Sequence, residues 1–97
     1  MAVMVTVEFK LKPEAVDTMV AGMQQALPET RAFKGCQEVK TYLDEANHIM
    51  LLVEFWDRSE DQQAYLAWRQ ETGSLAGLVD LLVAPPEFRT YAIRDDV

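Results

Sequence analysis

One cysteine, one histidine and four isolated glycines exclude several common kinds of chemistry. With Cys36 alone, no intrachain disulfide forms, and the reducing cytosol is the expected compartment. A single histidine among scattered acids gives no ligand spacing, so no metal is expected. The glycines build no phosphate-cradling loop. Basic residues are scarce too: 9 Lys and Arg against 16 Asp and Glu leave a net charge of −7. That balance argues against nucleic acid and anionic membrane surfaces as partners. No apolar run approaches the roughly 18–20 residues of a membrane span. The opening MAVMVTVEFK lacks the basic start and long apolar run of a signal peptide. A cytoplasmic protein is the expectation.

What the chain does have is apolar content, 49%, set out with clear periods. Its 97 residues suit one domain over 1–97. Val3, Val5, Val7, Phe9 and Leu11 alternate with Met4, Thr6, Glu8 and Lys10, the pattern of a strand with one buried face. Pro13 suits the first turn of a helix, with Glu14 and Asp17 at its positive end. Val16, Met19, Val20, Met23 and Leu27 then recur at three and four. Pro28 is expected to interrupt this helix and start a short second segment reaching Phe33. After the Lys34-Gly35 stop, Cys36 to Leu43 and Ile49 to Trp56 read as strands joined by Asp44-Glu45-Ala46-Asn47.

Ser59 and Gln62 have capping-box spacing. Ala64, Tyr65, Trp68 and Thr72 define the expected face of the helix that follows, which Gly73 ends. Ser74 is expected to cap a short helix bearing Leu75, Leu78, Val79 and Leu82, stopped by Pro85-Pro86. Phe88 to Ile93 is the last strand. The order β-α-β-β-α-β is the ferredoxin-like plan of the α+β class: a four-stranded antiparallel sheet with both helices on one face.

The other face is left open, and the third strand shows what that demands. Ile49, Leu51, Val53 and Phe55 alternate with His48, Met50, Leu52, Glu54 and Trp56. With the first set assigned to the helices, Met50, Leu52 and Trp56 face outward, each losing about 1.5–3 kcal/mol in water. A homodimer that pairs sheet against sheet is the simplest cover.

Few side chains are candidates for chemistry. Cys36 and His48 offer a nucleophile pair, although a lone Cys is more often packing and a lone His more often solvated. Glu54, between Leu52 and Trp56, is either a base with a raised pKa or, as is commoner, an interface carboxylate paired with Lys40 or Arg89. Tyr65, Trp68 and Arg69 lie at helical spacing. The two aromatics are either core or the lining of a cavity for a flat aromatic ligand, with Arg69 at its rim.

Val5-x-Val-x-Phe9-Lys-x-Lys-Pro13, Gly35-Cys36, Glu54-Phe-Trp56-x-x-Ser59, Tyr65-Leu-Ala-Trp68-Arg69 and Pro85-Pro86 together resemble the antibiotic biosynthesis monooxygenase family over nearly the whole chain. The resemblance implies a dimeric α/β-barrel with a pocket between sheet and helices in each subunit. It also implies oxidation of a quinol- or anthrone-like aromatic by molecular oxygen with no cofactor, the substrate supplying the electrons. Trp68 and Tyr65 are then the catalytic candidates. Phe9 and Phe55, on the sheet face expected beneath them, and Arg69 are the substrate-binding candidates. Many relatives carry a histidine near the position of Tyr65. The haem-degrading branch uses an Asn, a Trp and a His, of which only Trp68 is matched, so haem degradation is not expected. The alternative is a non-catalytic module that binds a small ligand on the same scaffold.

Overall fold

A computed structural model describes residues 1–73 and 76–97. The chain runs β1 (Val3–Lys10), α1 (Val16–Ala32), β2 (Cys36–Asp44), β3 (Ile49–Trp56), α2 (Ser59–Glu71) and β4 (Glu87–Ala92). One 3-10 turn, Pro13–Ala15, leads into α1, and another, Ala76–Leu81, leads towards β4. The strands form one antiparallel sheet in the order β2-β3-β1-β4, and the helices cover one face of it. This is the ferredoxin-like α+β arrangement. The expected cap Ser74, and Leu75 after it, lie outside the described residues; Leu78 falls in a 3-10 turn rather than an α-helix.

Pro28 does not divide α1, which runs unbroken for 17 residues. Proline deletes one backbone donor, but the helix is held from its buried side. Met19, Met23, Leu27 and Thr30 form one stripe at three- and four-residue spacing, and the bonds from α2 described below grip the segment around Pro28. The Ser59–Gln62 capping box does not form either: α2 has no side-chain cap, and Ser59 Oγ instead donates to Glu60 Oε1. Gln62 is buried, as are Asp61, Tyr65 and Arg69. The inner face of α2 is therefore 61, 62, 65 and 69 with Trp68 at its flank, not the stripe through Ala64, which is exposed.

The largest correction concerns β3. β1 points Val3, Val5, Val7 and Phe9 at the helices, as its alternation predicts. Pairing sets Val7 opposite Leu52, Phe9 opposite Met50 and Val5 opposite Glu54, and residues opposite one another share a face. Met50, Leu52, Glu54 and Trp56 accordingly face the helices and are buried. Ile49, Leu51, Val53 and Phe55 face outward and are half-buried. Both faces of β3 are apolar, so its own periodicity does not distinguish them; the register with β1 does. The open face still carries an apolar strip, because Tyr42 pairs with Leu51, and Phe55 and Tyr91 both pair with Met4. Tyr42 and Tyr91 are exposed.

Candidate functional site

A cavity of about 330 Å³ lies between the sheet and the helices. Val7, Phe9, Leu52 and Glu54 form its floor, Met23 and Leu27 of α1 one wall, and Tyr65 and Arg69 of α2 another. Val79 and Phe88, both well exposed, also border it and place apolar surface at its mouth. The volume is within the range for a small-molecule site, and the lining has the usual character of one: apolar walls with few polar groups.

Glu54 is the least expected of those polar groups. It is 3% exposed, yet neither Lys40 nor Arg89 reaches it. Lys40 pairs with Glu38, and Arg89 with Glu87. Among the described residues its hydrogen-bond partner is Trp56, whose Nε1–H donates to Glu54 Oε1 at 2.9 Å. The two residues are two apart on one strand, so they share a face, and the fully buried indole fixes the carboxyl. Burial pushes the Glu54 carboxyl above the usual range, and the Trp56 bond offsets part of that rise.

Tyr65 is held differently. Its hydroxyl lies 2.6 Å from Thr30 Oγ1, with either oxygen able to donate, and accepts Arg69 Nε–H at 2.8 Å. Arg69 Nη2 donates to the Ala26 carbonyl at 2.8 Å and to Thr30 Oγ1 at 3.1 Å, and Nη1 to Glu29 Oε1 at 3.4 Å. The guanidinium also lies 5.2 Å from the centre of the Tyr65 ring and 4.8 Å from that of Trp68, within cation–π range. Phe33 stands among Trp56, Tyr65 and Trp68, with ring centres 5.4–6.4 Å apart.

The structure thus brings Phe9, Tyr65 and Arg69 together at one cavity. Trp68 is not among its lining residues and packs behind Tyr65 and over Arg69. Phe55 lies on the opposite face of the sheet, since β3 is turned over relative to expectation. Cys36 sits opposite Trp56, whereas His48 lies eight residues before Trp56, at the far end of β3 and roughly 25 Å away along the strand. They form no nucleophile pair. Burial first, and then the charge of Glu54, pushes the Cys36 thiol up, which leaves it a poor nucleophile. Sequence reasoning missed Thr30, although it follows Leu27 by three on the buried stripe of α1. It also missed the Trp56–Glu54 bond, although their spacing of two on a strand allows it. Among the described residues, no three His, Cys, Asp or Glu side chains are placed to hold a metal ion, and no helix is long and apolar enough to cross a membrane.

The antibiotic biosynthesis monooxygenase profile matches residues 2–91. The chain belongs to the antibiotic biosynthesis monooxygenase family. No curated protein matches it. Solved structures similar to this family member include Rv0793 from Mycobacterium tuberculosis, 21% identical, covering 98% of this chain and 97% of that one at a TM-score of 0.86. A protein from Methanosarcina mazei is 19% identical over 97% of this chain and 94% of its own, also at 0.86. The ActVA-Orf6 monooxygenase of Streptomyces coelicolor, solved in complex with nanaomycin D, is 15% identical over 99% and 90% at 0.80. At these identities the likeness is one of fold.

The state of Glu54 has a measurable consequence. A carboxyl whose folded-state pKa is raised binds its proton more tightly when folded. Its stabilising contribution is complete below the ordinary glutamate range and is lost as pH rises through the raised value. Glu54→Gln keeps an acceptor for the Trp56 N–H and removes the titration. Its melting temperature is expected to climb relative to wild type as pH rises through that window, as read by circular dichroism over a pH series. A pH-independent difference would mean that Glu54 titrates like an exposed glutamate.

Proposed function

We propose that the protein is a cofactor-independent monooxygenase that oxidises a quinol- or anthrone-like aromatic in this cavity. The observation that carries the reading is Glu54: a buried carboxyl without a cationic partner among the described residues, at the floor of an apolar cavity that also presents the Tyr65 phenol. A base with a raised pKa in a dry site suits proton abstraction from a weakly acidic carbon or phenol. Family membership supports the reaction class.

With an anthrone, the Glu54 carboxylate takes a proton from the ring methylene, leaving a delocalised carbanion. The carbanion passes one electron to oxygen, and the radical pair recombines into a carbon–oxygen bond as a peroxide anion, which takes back the proton held by Glu54 to become the hydroperoxide. The Glu54 carboxylate then removes the second proton from the same carbon as the O–O bond breaks, and that proton joins the departing hydroxide, giving the quinone carbonyl and water. The carbon gives up four electrons and oxygen accepts four, one oxygen atom entering the product and the other leaving as water. Tyr65 faces the oxygen of the aromatic. Arg69 Nε–H donates to the Tyr65 hydroxyl; when Thr30 donates to it as well, the Tyr65 proton turns to the developing oxyanion and stabilises it. Phe9 supplies an apolar wall. Arg69 and Trp68 position Tyr65.

The half-buried strip Ile49, Leu51, Val53 and Phe55 supports a homodimer closed sheet to sheet. Several side chains at about 1.5–3 kcal/mol each favour burial, and Phe55 takes its role there. Light scattering is expected to give a mass near twice 11.0 kDa, and Leu51→Glu to give monomer or insoluble protein. A wild-type monomer at micromolar concentration would remove the barrel.

Oxygen uptake tests the activity. The purified protein is expected to consume oxygen with a panel of anthrones and dihydroxynaphthalenes, and chelator to leave the rate intact. Glu54→Gln should lower turnover about 100-fold or more, and Tyr65→Phe about tenfold. Binding across the panel without turnover would identify a ligand-binding module instead.

A further inference from the structure

We propose that the cavity selects neutral, hydroxyl-bearing aromatics against aromatic carboxylates of the same size, and that Glu54 determines the selection. The proposal rests on this cavity being the ligand site of the reading above.

Two charged side chains border the cavity, Glu54 and Arg69, and they differ in what they offer a ligand. A guanidinium has five N–H groups. Among the described residues, those of Arg69 meet Tyr65, Ala26, Thr30 and Glu29, protein acceptors on α1 and α2. Drawing the guanidinium to a ligand carboxylate would break bonds made by a group 4% exposed, and breaking buried charge-assisted bonds is costly. Arg69 therefore holds Tyr65 rather than an anion.

Glu54 is not neutralised in this way. Its bond from Trp56 engages Oε1, and no ion pair compensates its charge among the described residues. A hydroxyl of the ligand donates to the carboxylate with a good charge-assisted bond. A ligand carboxylate meets like charge across apolar walls of low dielectric, where repulsion is strong. It enters only if Glu54 takes up a proton, and its affinity carries that cost. The net charge of −7 adds to the barrier on the way in.

The test is anaerobic titration, which keeps binding separate from oxidation. Quenching of the tryptophan fluorescence reports occupancy, since Trp56 touches Glu54. The probes are a dihydroxynaphthalene, its ring carboxylate and the matching ring carboxamide, which has the size of the carboxylate without its charge. The wild-type protein is expected to bind the parent and the carboxamide at least about tenfold more tightly than the carboxylate. In Glu54→Gln the gap should shrink to below about threefold, through a gain in carboxylate affinity. Equal binding of carboxylate and carboxamide by wild type overturns the selectivity and leaves the monooxygenase reading standing. An undiminished gap in Glu54→Gln overturns the assignment to Glu54. Failure of all three to bind overturns the ligand site itself, and this inference with it. The wild-type comparison stands even if the variant does not fold.

Discussion

Arg69 reaches from α2 across to α1 and joins four acceptors: the Ala26 carbonyl, Thr30, Glu29 and the Tyr65 hydroxyl. The Thr30–Tyr65 pair also links these helices, and the Arg69 guanidinium lies over the Trp68 ring. It accounts for three features at once. The end of α1 stays helical past Pro28, because the turn around it is gripped from outside. Tyr65 is fixed at the cavity wall in one orientation. The cation that borders the cavity is committed to the helices, which leaves Glu54 without a counter-charge among the described residues.

That last consequence makes the cavity chemically distinctive. A cation beside a buried carboxyl lowers its pKa; without one, burial raises it, and at Glu54 the indole N–H offsets only part of that rise. The indole keeps the carboxyl in place without discharging it, and the walls around it are largely apolar. The aromatic group of Phe33, Trp56, Tyr65 and Trp68 holds both Trp56 and Tyr65, so the Glu54 carboxyl and the phenol are positioned by a common packing unit. Residues outside the lining, Trp68 and Phe33 among them, therefore act on the site through position.

The element order and the antiparallel sheet were legible because β1, α1 and the glycine and proline punctuation each carry one dominant period. The cavity was legible in part. Tyr65 and Arg69 stood out by helical spacing, and Phe9 by strand alternation. The facing of β3 was not legible, since it depends on pairing with β1 and both sets of its side chains are apolar. That reversal moved Phe55 to the open face and brought Glu54 inside. Thr30 and Arg69 could not be connected from sequence, because they lie 39 residues apart and meet only through the packing of the helices. The capping box at Ser59 matched a pattern that does not form, since α2 has no side-chain cap and Ser59 Oγ bonds Glu60 instead.

Glu54 is held by an indole with no cationic partner among the described residues, and carboxyl carbon NMR reads its state directly. In protein labelled at the glutamate side chains, the Glu54 resonance, assigned by its loss in Glu54→Gln, should titrate above the exposed glutamates. It should move higher still in Trp56→Phe, where the bond that favours the anion is gone. A Glu54 that titrates with the exposed glutamates, or that is unmoved by Trp56→Phe, would contradict the account.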